Sequence, residues 1–256
     1  MSLLTGKKIL VTGILNKYSI AYGIAKMLYK HKADLIITYQ NKKYKDKIQQ
    51  LVNNITPYPI LKCNFAKDKD IKKLFQKIST IWKTFDGLIY AIAFMPFYKL
   101  CNNFIDNISR KTFNITHDIS SYTLFGILKE AKNMLNYHSS IIVLTYLGAE
   151  RVIKNYHIMG SAKASLEANI RYIACYLGKN NIKVNGISTA PIATVSAKTI
   201  KNFHKMKTYY KQKAPLTYPI TIEHIGNVAV FLSSYLSDGI TGEIIHVDGG
   251  FNIIAI

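Results

Sequence analysis

Arginine is scarce in this 256-residue chain: Arg110, Arg151 and Arg171 are the only three among 34 basic residues, although the formal net charge is +20. That scarcity weighs against a nucleic-acid reader, which favours arginine because its planar fork matches phosphates and guanine edges. The lysines are scattered along the chain rather than gathered in one tail or helix. With abundant asparagine, isoleucine and tyrosine, they read as A+T-rich coding bias, and no nucleic-acid partner is expected. A basic face still suits an acidic protein partner by steering its approach. Cysteine is scarce too. Cys63, Cys101 and Cys175 are odd in number and widely spaced. They form no CxxC pair for zinc or redox chemistry, so a reducing cytoplasm is expected. No His, Cys or carboxylate cluster has metal-ligand spacing, and no metal is expected. The longest apolar run, around Leu88–Phe97, is too short for a membrane-spanning helix. The N-terminal MSLLTGKKILVTG lacks the apolar region and cleavage site of a signal peptide. No Pro/Gly/Ser-rich linker, repeat or low-complexity tract divides the chain, so one domain over 1–256 is expected.

What is present alternates between two patterns. Short apolar runs read as strands at Lys8–Thr12, Leu35–Thr38, Ile60–Cys63, Leu88–Ala91, Ser140–Leu144, Lys183–Ser188 and Ile244–Val247. Between them, helical spacing runs over Ile20–Tyr29, Lys43–Val52, Asp68–Ile81 (with Asp68 as its cap) and a long helix through Leu166–Leu177. Alternation of this kind predicts an α/β fold: a Rossmann-like, doubly wound parallel sheet of about seven strands with helices on both faces. Strands apolar on both sides fit a sheet buried on both faces. Ligands in such sheets bind beyond the carboxyl ends of the strands, so the residues after each strand are the candidates.

After the first strand, Gly13 permits a tight turn and Ser19 stands where a helix cap belongs. The amides of Ser19 and Ile20 would then face a pyrophosphate, aided by the helix dipole. This junction is not GxGxxG, and an ordinary strand-to-helix loop reads equally well. After the second strand Gln40 offers hydrogen bonds to ribose hydroxyls without repelling a 2′-phosphate, and Lys42 and Lys43 would attract one. Local chemistry therefore leaves NADH and NADPH both open. After the third strand, Asn64 can meet an adenine edge or simply close a turn. Tyr156 and Lys163 are seven residues apart, a spacing that returns to nearly the same face of a helix. A tyrosine hydroxyl there would bind a carbonyl, and a lysine beneath it would hold a ribose and lower the tyrosine pKa. Spacing alone is weak here, because YxxxK recurs by chance at Tyr22/Lys26, Tyr39/Lys43, Tyr58/Lys62 and Tyr209/Lys213.

Context is more specific. The stretch Thr145-Tyr146-Leu-Gly-Ala-Glu150-Arg151, followed by Asn155-Tyr156-His-Ile-Met-Gly160-Ser-Ala-Lys163-Ala-Ser-Leu-Glu-Ala-Asn169, closely resembles the active-site region of bacterial enoyl-(acyl carrier protein) reductases. These are short-chain dehydrogenases/reductases marked by Tyr-x6-Lys in place of Tyr-x3-Lys. The resemblance runs nearly end to end, through GKKILVTG, SIAYGIA, TYQN, FDGLIYAIAF, HDISSYT, KVNGIS, Ala190–Thr194 and GEIIHVDGGF. It implies NADH-dependent reduction of an enoyl thioester, an acyl carrier protein as partner and a homotetramer. It assigns Tyr156 to the thioester carbonyl, Lys163 to the nicotinamide ribose and Tyr146 to an assisting place. It assigns Gly13, Ser19, Ile20, Gln40, Asn64, Phe65, Ile92, Ile192 and Thr194 to the cofactor, and Met95, Phe203 and Met206 to the acyl chain. It further implies a mobile cover at about 195–207, which otherwise reads as a surface helix.

Three positions depart from the family pattern. Asn64 replaces an aspartate, Met95 replaces a small residue beside the acyl pocket, and Ala190 replaces a glycine, restricting a backbone otherwise free to take unusual angles. Elsewhere Asp248-Gly249-Gly250 reads as a turn, His117 and Asp118 as helix packing or capping, and Trp82 as core. A carbonyl-reducing dehydrogenase of the 3-oxoacyl type is the enzymatic alternative. A polyanion-binding protein that has lost catalysis is the non-enzymatic one.

Overall fold

The computed structural model describes residues 2–96 and 104–254; Cys101 and the end of the apolar run at Phe97 lie outside them. Seven strands form one parallel sheet in the order β3-β2-β1-β4-β5-β6-β7. They are β1 (Lys8–Val11), β2 (Asp34–Tyr39), β3 (Leu61–Lys62), β4 (Phe85–Tyr90), β5 (Leu135–Thr145), β6 (Lys183–Thr189) and β7 (Ile244–Val247). Around them run α1 (Ile20–Lys30), α2 (Lys45–Val52), α3 (Asp68–Ile81), α4 (Phe104–Asn107), α5 (Arg110–His117), α6 (Thr123–Ala131), α7 (Ile158–Leu177), α8 (Phe203–Lys213) and α9 (Ile222–Ser233). The expected doubly wound sheet is observed.

Its two cores follow from the two-residue period of a strand. Leu10, Ile36, Leu88, Ile141 and Val184 pack on one face against α3, α6 and α7. Their neighbours Ile9, Val11, Leu35, Ile37, Ile89 and Ile142 pack on the other against α1, α2 and α9. Both faces are covered, as near-continuous apolar strands require. Trp82 belongs to the first core, edge-on to Tyr58 with centroids 5.2 Å apart. Asp68 proves to be the first helical residue of α3 and not its cap; the cap position is Lys67, with no side-chain hydrogen bond. Asp68 and Asp70 instead place negative charge in the first turn, where the helix dipole favours it.

Lys183, nearly fully buried at the start of β6, ties that strand to the loop after α9. Its ammonium donates to Ser234 O at 2.7 Å, Ser237 Oγ at 2.9 Å and Asp238 Oδ1 at 2.8 Å. All three donors of a lysine are thereby used.

Candidate active site

The sheet order reverses between β1 and β4, and a crevice opens there at the carboxyl ends of the strands. Gly13 leaves β1 with φ +87°, and a Cβ built on it would lie 2.1 Å from the carbonyl oxygen of Ala91. Only glycine lets these two loops lie against each other. Thr12 fastens them: its hydroxyl donates to Ile89 O at 2.9 Å and accepts from Ala91 N at 3.2 Å.

Ser19 occupies the cap position of α1 but does not cap it. Its Oγ turns back to accept from Leu15 N at 3.0 Å and Asn16 N at 3.1 Å, and its own amide donates to Asn16 O. The serine shapes the loop, so its amide is not free for a ligand. Among the described residues no acceptor meets the amides of Ile20 and Ala21, which point the positive end of α1 at the crevice.

A cavity of about 400 Å³ fills the crevice. It brings together Gly13, Ser19, Ile20, Ile92, Met95, Tyr146, Tyr156, Lys163, Ile192, Thr194, Phe203 and Met206. Gln40, Asn64 and Phe65 lie outside its walls, beyond β2 and β3 at the same edge of the sheet. Gln40 is exposed, while Phe65 is buried in the core beside α3. Asn64 closes a turn, its Oδ1 accepting from Ala66 N at 3.3 Å. Ala190 needs no unusual angle, because its φ is negative and its amide bonds Val247 O at 3.0 Å.

Tyr156 and Lys163 reach the cavity by a different route from the one their spacing suggests. Tyr156 is not helical: it sits in a turn, and α7 begins only at Ile158. Its neighbours Asn155 (φ 66°) and His157 (φ 46°) both lie in the left-handed region. Strained backbone of this sort persists where the surroundings over-determine it, commonly at functional sites. Its ring meets Tyr146 edge-on, with centroids 5.0 Å apart. Burial pushes the Tyr156 hydroxyl well above the ordinary tyrosine range, and the neighbouring Tyr146 and Glu167 push the same way. Lys163, expected to lower it, is not among the groups that act on it, and burial sets the direction. Tyr156 therefore stands as a neutral hydrogen-bond donor.

Lys163, on α7, is 6 % exposed. Burial pushes its ammonium down to about 8, with Glu167 acting the other way. Among the described residues its only acceptor is Leu144 O, at 2.7 Å. Unlike Lys183, it keeps two donors for a ligand. A glycine-only loop contact, free amides at a helix start and an underused buried ammonium together fit a dinucleotide bearing phosphates and ribose hydroxyls.

The segment 195–207 is a short 3-10 turn at Ala197–Thr199 leading into α8, and it forms one wall of the cavity through Val195, Ile200, Phe203 and Met206. Tyr146 donates its hydroxyl to Met206 Sδ at 3.6 Å, joining this wall to the tyrosine pair. His117 stacks on Phe113 and meets Ser161 Oγ at 3.1 Å, outside the cavity. Asp248 closes a turn by accepting from Gly250 N and Asn252 N. Among the described residues no group of three or more His, Cys, Asp or Glu could hold a metal. No helix there is long and apolar enough to cross a membrane.

Thr145, Gly148 and Glu167 were given no role from sequence, although they stand in the motif that carries the resemblance. Thr145 lines the cavity and donates to the buried Glu167 at 2.6 Å. Gly148 backs the Tyr156 ring. Nothing in residue type or spacing marks them apart from their neighbours.

A family model described as enoyl-(acyl carrier protein) reductase matches residues 13–252. The chain is 51% identical over 253 residues to the NADH-dependent enoyl-(acyl carrier protein) reductase FabI of Buchnera aphidicola subsp. Schizaphis graminum, covering 99% of this chain and 97% of that one. It is 45% identical over 255 residues to FabI of Escherichia coli K12, covering 100% and 97%. Among solved structures, the Bacillus cereus enoyl-acyl carrier protein reductase, bound to NADP+ and an indole naphthyridinone, superposes with a TM-score of 0.95 at 40% identity and full coverage of both chains. The Anaplasma phagocytophilum reductase in complex with NAD gives a TM-score of 0.94 at 32% identity, covering 99% and 96%.

Proposed function

The chain belongs to the enoyl-(acyl carrier protein) reductase family, and from that premise we propose how its residues reduce the trans-2 double bond of an enoyl thioester with NADH in fatty acid synthesis. The observation that carries the reading is the pairing of a buried neutral tyrosine with a buried, underused ammonium in one apolar cavity. Bound NADH would supply the hydride that C3 of the substrate accepts, and uptake of a proton at C2 then completes the saturated thioester. As negative charge grows on the thioester oxygen, the Tyr156 hydroxyl donates a hydrogen bond to it. A donor aimed at developing charge in a water-poor site commonly lowers the barrier by about 3–4 kcal/mol. The high pKa of Tyr156 suits this role, because the proton stays on Oη until charge calls on it. Lys163 turns its two free donors to the nicotinamide ribose. Ile20 and the loop at Gly13 hold the pyrophosphate, with Thr194 close by. Gln40, Asn64 and Phe65 serve the adenosine end, and Ile92 and Ile192 the nicotinamide end.

The acyl chain lies against Met95, Phe203 and Met206, with Tyr146 fixing the rings. Residues 195–207 act as a cover that moves over it. Exposed Lys198, Lys201 and Lys205 beside the cavity suit an acidic acyl carrier protein delivering the thioester. The reading also includes a cytoplasmic homotetramer. Supporting the oligomer, Tyr172 and Tyr176 on α7 are 78% and 70% exposed, and Tyr122 is exposed at the end of the helical stretch 118–122 that packs against α7, with Phe125 exposed just after it. Large aromatics left in water mark surfaces that other chains cover.

The test follows loss of NADH absorbance with a trans-2-enoyl thioester and, in parallel, a 3-oxoacyl thioester. The enoyl substrate alone should turn over. Tyr156→Phe should lower kcat by about 10²–10³-fold while leaving NADH affinity nearly unchanged. Full activity in that variant, or turnover of the 3-oxoacyl substrate alone, would defeat the reading.

A further inference from the structure

Beside Lys163 the protein buries a carboxylate that the roles above leave unused. Glu167 stands four residues further along α7 and is 5 % exposed. Residues at that spacing are neighbours on one helix face, and the two side chains end on consecutive residues of β5, Lys163 on Leu144 O and Glu167 on Thr145 Oγ1. Its Oε1 accepts the 2.6 Å hydrogen bond from Thr145 Oγ1, and Thr145 is itself part of the cavity wall. A carboxylate so buried is costly unless donors or opposite charge meet it.

The charged groups facing it come from several elements. Lys163 lies on α7, Glu150 follows β5, and His246 comes from β7. Tyr156, before α7, also feels its charge. Nε2 of His246 lies 3.3 Å from Oε1 of the more exposed Glu150, a contact that becomes an ion pair only when the imidazole is protonated. His117, from α5 packed against α7, meets Ser161 instead. Burial pushes Glu167 up and Glu150 adds to this, while the Thr145 hydrogen bond, His246 and Lys163 hold it down. Lys163, for its part, has Glu167 as the one charge working against its burial.

We infer that Glu167, anchored by Thr145, is a positioning residue that keeps Lys163 charged in the cavity and so sets the pH range over which the cofactor is held. The inference rests on the assignment of Lys163 to the cofactor. Glu167 itself touches neither substrate nor cofactor; it acts through the ammonium.

NADH affinity, read from the fluorescence of the bound cofactor between about pH 6 and 9, is the measurement. In the native enzyme affinity should fall as pH rises through about 8, where Lys163 loses its proton. Glu167→Gln keeps the shape and an acceptor for Thr145 but removes the charge. Its midpoint should move down by about one pH unit, the size of shift that an opposite charge about one helical turn away makes, because burial of Lys163 then acts unopposed. Affinity near pH 6 should stay within about twofold of native, whereas near pH 8 it should fall about five- to tenfold. A merely structural role would weaken binding equally at every pH. Thr145→Val, nearly isosteric, should move the midpoint the same way, because a carboxylate without its donor is harder to ionise. It decides the matter if Glu167→Gln does not fold. Unmoved midpoints in the folded variants would overturn the inference. Lys163→Met separates the two levels. If it binds NADH as the native enzyme does, the cofactor assignment falls. If it loses affinity while Glu167→Gln keeps the native midpoint, only the role of Glu167 falls.

Discussion

Gly148→Ala tests how tightly the fold places the reacting tyrosine. Gly148 lies in the 3-10 turn Leu147–Ala149, and its φ is not positive, so alanine meets no backbone obstacle. The added methyl does: it would lie 2.4 Å from Cδ1 and 2.6 Å from Cε1 of Tyr156. Carbon atoms in contact rest about 3.5–4.0 Å apart, so the ring must recede by about 1 Å. The methyl presses on Tyr146 too, whose Cδ1 would lie 3.4 Å away, so it crowds both rings of the edge-on pair. The turn itself lies close on α7, where only a glycine at 160 leaves room for Gly148 O: a Cβ built there would come within 2.7 Å of it. Misplacing a catalytic group by about 1 Å can cost about 10²-fold in rate, so kcat for the enoyl thioester should fall by about that factor. The squeezed methyl should destabilise the fold by about 1–3 kcal/mol, visible as a lower melting temperature but not as unfolding. Lys163 is not displaced, so NADH affinity should hold within about twofold, or about 0.4 kcal/mol. The assay pairs NADH oxidation with NADH binding on folded protein. Native turnover in Gly148→Ala would refute the claim that the Tyr156 ring position limits the reaction. An equal loss of NADH affinity would show that the methyl acts on the whole cavity.

Two other outcomes are open to direct measurement. Gly13→Ala combines φ +87° with a methyl 2.1 Å from Ala91 O; it should cost about 1–2 kcal/mol for the left-handed conformation plus about 1–3 kcal/mol for overpacking. Thermal unfolding should register that loss and NADH binding should weaken; an unchanged melt would mean the two loops are not held together. Light scattering of the native enzyme should give close to four times the 29.0 kDa chain mass, and Tyr172→Lys with Tyr176→Lys should lower it; a monomeric native enzyme would refute the tetramer.

Residue order by itself determined the layers. Seven apolar runs and the helical spacing between them specify a parallel sheet covered on both sides, because a strand apolar on both faces can be buried only that way. Tyr146, Tyr156 and Lys163 were legible from the motif around them, and the cavity gathers all three. Their geometry was not. The helical-face argument for Tyr156 and Lys163 failed because spacing cannot tell a helix from the turn that precedes it. Ser19 looked like a cap because serine favours caps, but two loop amides compete for the same oxygen.

Burial and neighbours across the sheet were decided only by tertiary structure. Lys163 and Lys183 are indistinguishable in sequence; one spends three donors on the protein and the other spends one. The meeting of Thr145 with Glu167, and of Glu150 with His246, joins residues far apart along the chain. So does the closure of Gly13 on Ala91. Local sequence sets which elements form, because propensity and periodicity act over a few residues. Which charge is buried beside which donor depends on how those elements stack, and hence on the packing of the whole chain.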